Sequence, residues 1–437
     1  MSKKLQRFLA ATVEYSFYLF VFLLPWQTKL IIRSAETNFT EISIYVSHLL
    51  LLIVLIVFFA WQLKRKVDSE PISPLWISLA ALELSILISF FFASDQLLAF
   101  YHYLLVLMGI GLFYIIRAGT ISYSYEESQF STSKIIGSLF LSIFFQASLG
   151  IYQFLMQFSP ANKFLGLAVR NADITGASVV ETVSGRWLRA YGGLDHPNIL
   201  GGVLAISLII TAYLLAERKM IRSKTEAATS LLLFIFYFIA LTALFFTFSR
   251  GSWLAYVTGL LVLLAILIYN SDRWMLGRYL ALIFFSVVML FIVAFPYRDL
   301  AFARTAGAWQ GQGRLEQKSL DERGSYVTQA GSLIRECWIF GAGAGNYTQA
   351  IEERDIVKQE AWFYQPVHNS FLLLFAQSGI LSLVSFLAFL YFLIRKDRRA
   401  VYSGAVLAAL VILMIFDHWL ISLPFGLIFL FLVLGLL

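Results

Sequence analysis

The sequence predicts an all-α fold, a polytopic membrane protein of about twelve transmembrane helices with a large, partly helical outer loop. Three observations carry that reading. Hydrophobic residues make up 59% of the 437-residue chain and charged residues 14%, and the mean hydropathy of +0.78 is too high for a water-soluble fold of this length. Apolar runs long enough to cross a bilayer recur from one end to the other. Lys and Arg collect in every second connection between those runs, as the positive-inside rule requires if the crossings are counted correctly.

Taking runs of about 17 to 25 apolar residues as crossings of about 30 Å of hydrocarbon, the helices fall at 8–26, 43–62, 74–93, 97–116, 135–158, 198–216, 229–248, 251–270, 279–296, 367–394, 400–416 and 419–437. The first has the basic start of a secretory signal in Lys3, Lys4 and Arg7 but no small-residue cleavage site, so it reads as a retained helix. With the N-terminus cytoplasmic, Lys64-Arg65-Lys66, Arg117 with Lys134, Arg218 to Lys224, Arg273 with Arg278, and Arg395 to Arg399 all lie on the same side. These short segments hold eighteen of the 33 basic residues, and twelve of the others lie in two long loops, 159–197 and 297–366, where charge has little directing force. Both termini are therefore expected in the cytoplasm and both long loops outside, with residues 1–437 forming one integral membrane domain in the lipid bilayer. The net charge of +7 fits cytoplasmic loops against anionic lipid and calls for no nucleic-acid partner. Cys337 is the only cysteine, so no internal disulfide can form.

From Leu231 to Tyr269 runs a stretch of 39 residues whose single charge is Arg250. At about 1.5 Å per residue one helix of that length would be near twice the hydrocarbon thickness, so the run must fold back at Ser249-Arg250-Gly251-Ser252. Flanked by Phe245, Phe246, Phe248 and Trp253, the Arg250 guanidinium points either into the bundle, at an anionic group, or at a lipid headgroup. Its planar fork suits phosphate oxygens better than a lysine would.

Gly185 to Asn198 delivers a loop into the sixth helix. Pro197 fits a first helical position, and either Asp195 or His196 supplies the cap. Arg189, six residues before Asp195, either reaches the same outer cavity as Arg250 or pairs with Asp195 or another loop acid.

Within the 297–366 loop, Tyr326, Ala330, Leu333, Ile334, Cys337 and Trp338 recur at helical spacing, which predicts an amphipathic helix from Asp321 to Trp338. Asp321 reads as its cap. Arg323 then sits in the first turn, where a cation gains nothing from the helix dipole and so suggests another partner. Gly341-Ala-Gly-Ala-Gly-Asn346 lacks the strand-to-helix setting and the lysine of a nucleotide loop and reads as a flexible turn; no cofactor is expected. The loop carries eight basic and nine acidic residues, so no general field attracts anions there; only individual arginines can.

The five histidines are His48, His102, His196, His368 and His418, and no metal is expected because none sits in a ligand pattern with another histidine or a nearby acid. His48 and His102 read as packed or hydrogen-bonded, and Asp417-His418 as an outward turn. His368 is different. It closes the long polar loop, precedes Asn369-Ser370 and opens an apolar run, so a titratable ring stands where loop meets membrane. Glu83, central in the third helix, is the one acid expected to be buried.

Taken together, Arg189 with Gly-Gly-Leu-Asp-His-Pro-Asn at 192–198, Phe248-Ser-Arg-Gly-Ser-Trp253, Arg323 followed by Trp338 and the 341–346 glycine segment, and His368-Asn-Ser-Phe-Leu-Leu373 with Gly379 resemble the O-antigen ligase and O-antigen polymerase superfamily of bacterial envelope enzymes. The resemblance implies an inverting, metal-independent glycosyltransferase of the inner membrane. Such an enzyme moves a glycan from a polyprenyl diphosphate carrier to a lipid- or saccharide-linked acceptor hydroxyl at the outer face. It further implies His368 as the base or acceptor-orienting group and Arg189, Arg250 and Arg323 as holders of the diphosphate. The residues read alone agree with that chemistry, which needs a proton acceptor and charge stabilisation for the leaving diphosphate. Ligase, polymerase and protein glycosyltransferase share it and differ in the acceptor. The alternative, a membrane solute transporter of the same superfamily, would call for several intramembrane ionisable groups or matched interrupted helices.

Overall fold

A computed structural model of the chain describes residues 3–35, 39–62, 73–120, 130–183, 185–218, 223–305, 314–396 and 401–437. The chain opens with α1 (Lys3–Leu23), a hairpin of β1 (Lys29–Arg33) with β2 (Ile42–Tyr45), and the helices α2 (Val46–Gln62), α3 (Pro74–Ser89), α4 (Gln96–Thr120) and α5 (Thr132–Met156). The first long loop holds two small antiparallel pairs, β3 (Phe158–Ser159) with β4 (Arg170–Asn171) and β5 (Val179–Thr182) with β6 (Gly185–Leu188). Then follow α6 (Pro197–Glu217), α7 (Lys224–Phe246), α8 (Arg250–Tyr269) and α9 (Arg273–Ala294). The second long loop contains α10 (Arg298–Thr305), α11 (Arg314–Cys337) and α12 (Tyr347–Arg354), and the chain finishes with α13 (Ser370–Lys396), α14 (Ser403–Phe416), α15 (Trp419–Ser422) and α16 (Pro424–Leu436).

Among the described residues, eight helices are long and apolar enough to span a bilayer: α3 to α9 and α13. That count differs from the expected twelve. Apolar helices do occupy the remaining four places: the Ala11–Leu23 part of α1, and Val46–Gln62, Ser403–Phe416 and Pro424–Leu436, of which the last three are 17 residues or fewer. The last is short because Pro424 cannot donate a backbone hydrogen bond, so the run 419–437 splits at Leu423 into α15 and α16.

The hub is α6, apolar all round and buried along almost its entire length, with α7, α8, α9 and α14 packed around it. Elsewhere α13 lies on α3, α14 on α8 and α16 on α4. Most buried apolar side chains form one core. A second, smaller core ties the loop side together: Tyr326, Ala330 and Leu333 of α11, Tyr347, Ala350 and Ile351 of α12, and Val367, Leu373 and Ala376 at the start of α13.

The amphipathic helix of the long loop has the expected inward face, with Tyr326, Ala330 and Leu333 buried, but Trp338 is about half exposed. It also begins seven residues earlier than expected, at Arg314, so Asp321 is an internal residue and Arg323 sits in the third turn.

The glycine segment is buried and wedged in place, which corrects its reading as a flexible turn. α13 is interrupted at Gly379 (φ 77°, ψ 179°), a break that leaves carbonyls of the preceding turn without helical partners. Ala342 N donates to Ala376 O and Gly343 N to Gln377 O, both at 2.9 Å, while Ile380 N donates to Trp338 O at 2.9 Å. Gly341, Gly343 and Gly345 all have positive φ, and a Cβ on Gly343 would stand 2.4 Å from the Ala93 Cβ. Asn346 completes the joint by accepting from Asp95 N at 2.8 Å, and Asp95 pairs with Arg33 at 2.5 Å. Irregular backbone inside a helix long and apolar enough to span a bilayer is thus satisfied from the loop.

Candidate active site on the loop side

The turn between α7 and α8 is the foundation of the site. Phe248 adopts a left-handed conformation (φ 46°), which stops α7 and lets α8 begin at Arg250. The carbonyls at the end of α7 are taken from outside the helix. Ala190 N donates to Phe246 O at 3.0 Å, Arg189 Nε to Thr247 O at 2.6 Å, and Arg304 Nε to Phe248 O at 2.9 Å. Cationic donors at a helix C-terminus satisfy both its unpaired carbonyls and its dipole.

Beside this turn lies a cavity of about 260 Å³. Its walls include Arg250, Gly251 and Ser252 in the first turn of α8, Arg304 of α10, Arg323 of α11, Asn198 of α6 and Asp417 after α14. Ser249, the residue before α8, makes no side-chain cap to the helix, so a 20-residue helix presents its N-terminus here. Two of the sequence-derived arginines, Arg250 and Arg323, therefore face one hollow. Arg189 is placed differently: buried behind the wall, it donates from Nη2 to Asn198 Oδ1 at 2.8 Å and orients that amide.

Asn198 passes the connection on. Its Nδ2 donates to Asp417 Oδ2 at 2.9 Å, while the Asp417 Oδ1 accepts from His418 N at 2.8 Å. His368 Nδ1 stands 3.6 Å from Asp417 Oδ1, within ion-pair range and longer than a hydrogen bond. That nitrogen is buried, so the exposed quarter of the ring, 24% of the side chain, lies elsewhere. Asn369 caps α13 by accepting from Leu372 N, and Ser370 Oγ donates to Asp417 O at 2.8 Å, fixing the His368 segment against the 417 turn. The His368 and His418 rings lie 4.9 Å apart.

Burial alone would raise the Asp417 carboxyl, but the His368 imidazole beside it, with His418 and His196, outweighs burial and holds it well below the usual carboxylate range. It is a standing anion. Burial pushes His418 down to about 3, with the His368 charge adding to the effect, so His418 is neutral at physiological pH. Its Nδ1 bonds Ser422 Oγ at 2.6 Å. Ligand atoms of His368, Asp417 and His418 come within 4.8 Å of one another, close enough to meet a cation. Yet both Asp417 oxygens and His418 Nδ1 are already hydrogen-bonded, which suits a proton-handling cluster better than a metal shell.

The sequence reading missed Asp417, His418, Asn198 and Arg304. Asp417-His418 looked like a solvated turn because its partner, His368, is 49 positions away in the chain. His196, not Asp195, caps α6: its Nδ1 accepts from Asn198 N at 3.1 Å, which leaves Nε2–H to donate to Ser178 Oγ at 2.8 Å. Glu83 is half-buried and accepts from Tyr103 Oη at 2.7 Å, so the acid enclosed at the site is Asp417.

Residues 235–387 match the family described as O-antigen ligase. The matched segment runs from within α7 to within α13, so it contains Arg250, Arg304, Arg323 and His368, while Arg189, Asn198, Asp417 and His418 lie outside it. It supports the superfamily that the sequence resembles and, with it, a multi-pass membrane enzyme of the glycosyltransferase type. No curated protein matches the chain.

Proposed function

We propose that the protein transfers a glycan from a polyprenyl diphosphate carrier to an acceptor hydroxyl at the outer face of the bacterial inner membrane. The observation that carries this reading is the cavity itself. Three guanidinium groups and the N-terminus of α8 line it, beside an imidazole paired with an ionised carboxylate. Asp417, the acid in its wall, is engaged by Asn198 and the His418 amide, and a guanidinium fork matches diphosphate oxygens in charge and shape.

In this reaction the acceptor oxygen attacks the anomeric carbon from the face opposite the diphosphate, so configuration inverts. The bond from that carbon to the diphosphate oxygen breaks, and the electron pair leaves with the diphosphate. His368 accepts the hydroxyl proton while Asp417 steadies the imidazolium that forms. Arg250, Arg323 and the first-turn amides of α8 take up the developing negative charge, a role that needs no metal ion. Arg189 acts through Asn198 and the Thr247 carbonyl and is a positioning residue. The family match is to an enzyme, and no observation favours the transporter alternative.

The test is to incubate purified full-length protein with a polyprenyl diphosphate glycan and either a lipid-linked or a saccharide acceptor. Extension of one acceptor with stoichiometric release of polyprenyl diphosphate is expected. Absence of both under conditions where the protein is folded would overturn the reading.

A further inference from the structure

Arg304 has no part in the sequence motifs and the family resemblance assigns it no role, yet it lines the same cavity as Arg250 and Arg323. Its position is set from the far side. Arg304 Nε donates to the carbonyl of Phe248, the left-handed residue two places before Arg250, so the guanidinium plane is anchored to the turn that also carries Arg250. One edge of a guanidinium can bond a carbonyl while its terminal amines face another acceptor, because its five N–H groups lie in one plane. The side chain is half-buried, so its charge is only partly screened by water.

We infer that Arg304 is a further donor-binding residue, sharing the carrier's diphosphate with Arg250 and Arg323. This rests on reading the cavity as the diphosphate site. It divides the arginines into two kinds: Arg250, Arg304 and Arg323 touch the anion, whereas Arg189 holds the wall behind it. Two of the three anion ligands, Arg304 and Arg323, then come from the long loop on opposite sides of residues 306–313, and the third from the membrane bundle. A bound diphosphate bridges loop to bundle.

The competing explanation is that Arg304 only staples the end of α7, and the experiment separates the two. In purified full-length protein, inorganic diphosphate serves as the probe for thermal stabilisation, and a polyprenyl diphosphate glycan serves as donor for kinetics. The Arg304→Gln variant is expected to lose most of the diphosphate-induced stabilisation and to raise the donor KM about tenfold or more, with the acceptor KM unchanged. Arg304→Lys keeps the charge and is expected to recover part of the stabilisation. Arg298→Gln, an exposed change on the same helix, behaves as the unmodified protein. A lowered melting temperature with full response to diphosphate and an unchanged donor KM, in both Arg304 variants, would make Arg304 a staple and overturn the inference. If the unmodified protein itself neither responds to diphosphate nor turns over the donor, the diphosphate reading of the cavity fails, and this assignment with it. Arg250→Gln separates that outcome from the first, since it abolishes the response only if the cavity binds the anion.

Discussion

Imidazole 368 and carboxylate 417 stand 3.6 Å apart, within ion-pair range. Replacing His368 with Ala should leave a folded, inserted protein whose transfer rate falls about 10²- to 10⁴-fold, the usual contribution of a positioned proton acceptor. Unchanged transfer by that variant would remove the ring from the chemistry. Arg250 makes a different demand. Arg250→Lys keeps the charge at the start of α8 but loses the planar fork, so donor turnover should drop while the melting temperature stays put; full turnover would release Arg250 from the diphosphate. Both residues were visible in the sequence because each is a polar group out of place: Arg250 alone in a 39-residue apolar run, His368 at the seam between loop and membrane. Asp417 was not, since nothing local distinguishes an acid that turns to solvent from one whose partners arrive from α6 and α13.

At the level of elements, the joint between the glycine segment and the break in α13 stores the most specific geometry. A Cβ on Gly379 would stand 1.9 Å from Ile339 O at a φ of 77°, so Gly379→Ala combines backbone strain with a clash and should cost about 1–3 kcal/mol or more. Its thermal unfolding should shift down, whereas Gly277→Ala, with open space at its Cβ, should not move it. The turn after α14 gives a pH signature. His418 has a folded-state pKa of about 3 against an ordinary 6.5, so on acidification the unfolded chain takes up the proton first. Stability is therefore lost as pH falls from about 6.5 towards 3. Asp417, depressed in the same direction, keeps its contribution above the ordinary carboxylate range and loses it only as pH falls through its own lowered value. Between about pH 6.5 and 5 His418 shares this loss with other histidines such as His196, which burial also holds below the ordinary imidazole range, so His418→Gln should make the melting-temperature profile shallower there without abolishing its slope. The apolar helices were legible from run length and the register of α11 from its spacing, whereas the three short antiparallel pairs β1–β2, β3–β4 and β5–β6 were not read in the expected all-α fold. Its start was not, because Asp321 is a good cap residue that the chain uses mid-helix instead, and the glycine joint was hidden because its carbonyl partners belong to a helix some 35 positions on.

For the molecule as a whole, the proposed site draws its residues from both long loops and the bundle. If the long loops face outward, as the basic short loops predict, a thiol at Val183 or Ile356, both fully exposed, should react with a membrane-impermeant maleimide added to intact cells. The measurement needs a Cys337→Ala background to silence the native thiol, and labelling only after permeabilisation would invert the topology. Among the described residues eight helices have the length for a span, against the twelve expected from the sequence, and shorter apolar helices stand at the other four places. Apolar content fixes how much chain prefers lipid, whereas Pro424 decides how much of the 419–437 run forms one continuous helix.

The interlocked amides of residues 342, 343 and 380 have a bearing on how such a chain can be re-engineered. The carbonyls they satisfy sit where water is scarce, so neither partner is comfortable by itself. The 297–366 segment is also made by the ribosome before the helix it completes. Grafting that segment from one relative onto the bundle of another would succeed only when the donor's glycines and the recipient's helix break are exchanged together, as a single cassette ending beyond Gly379.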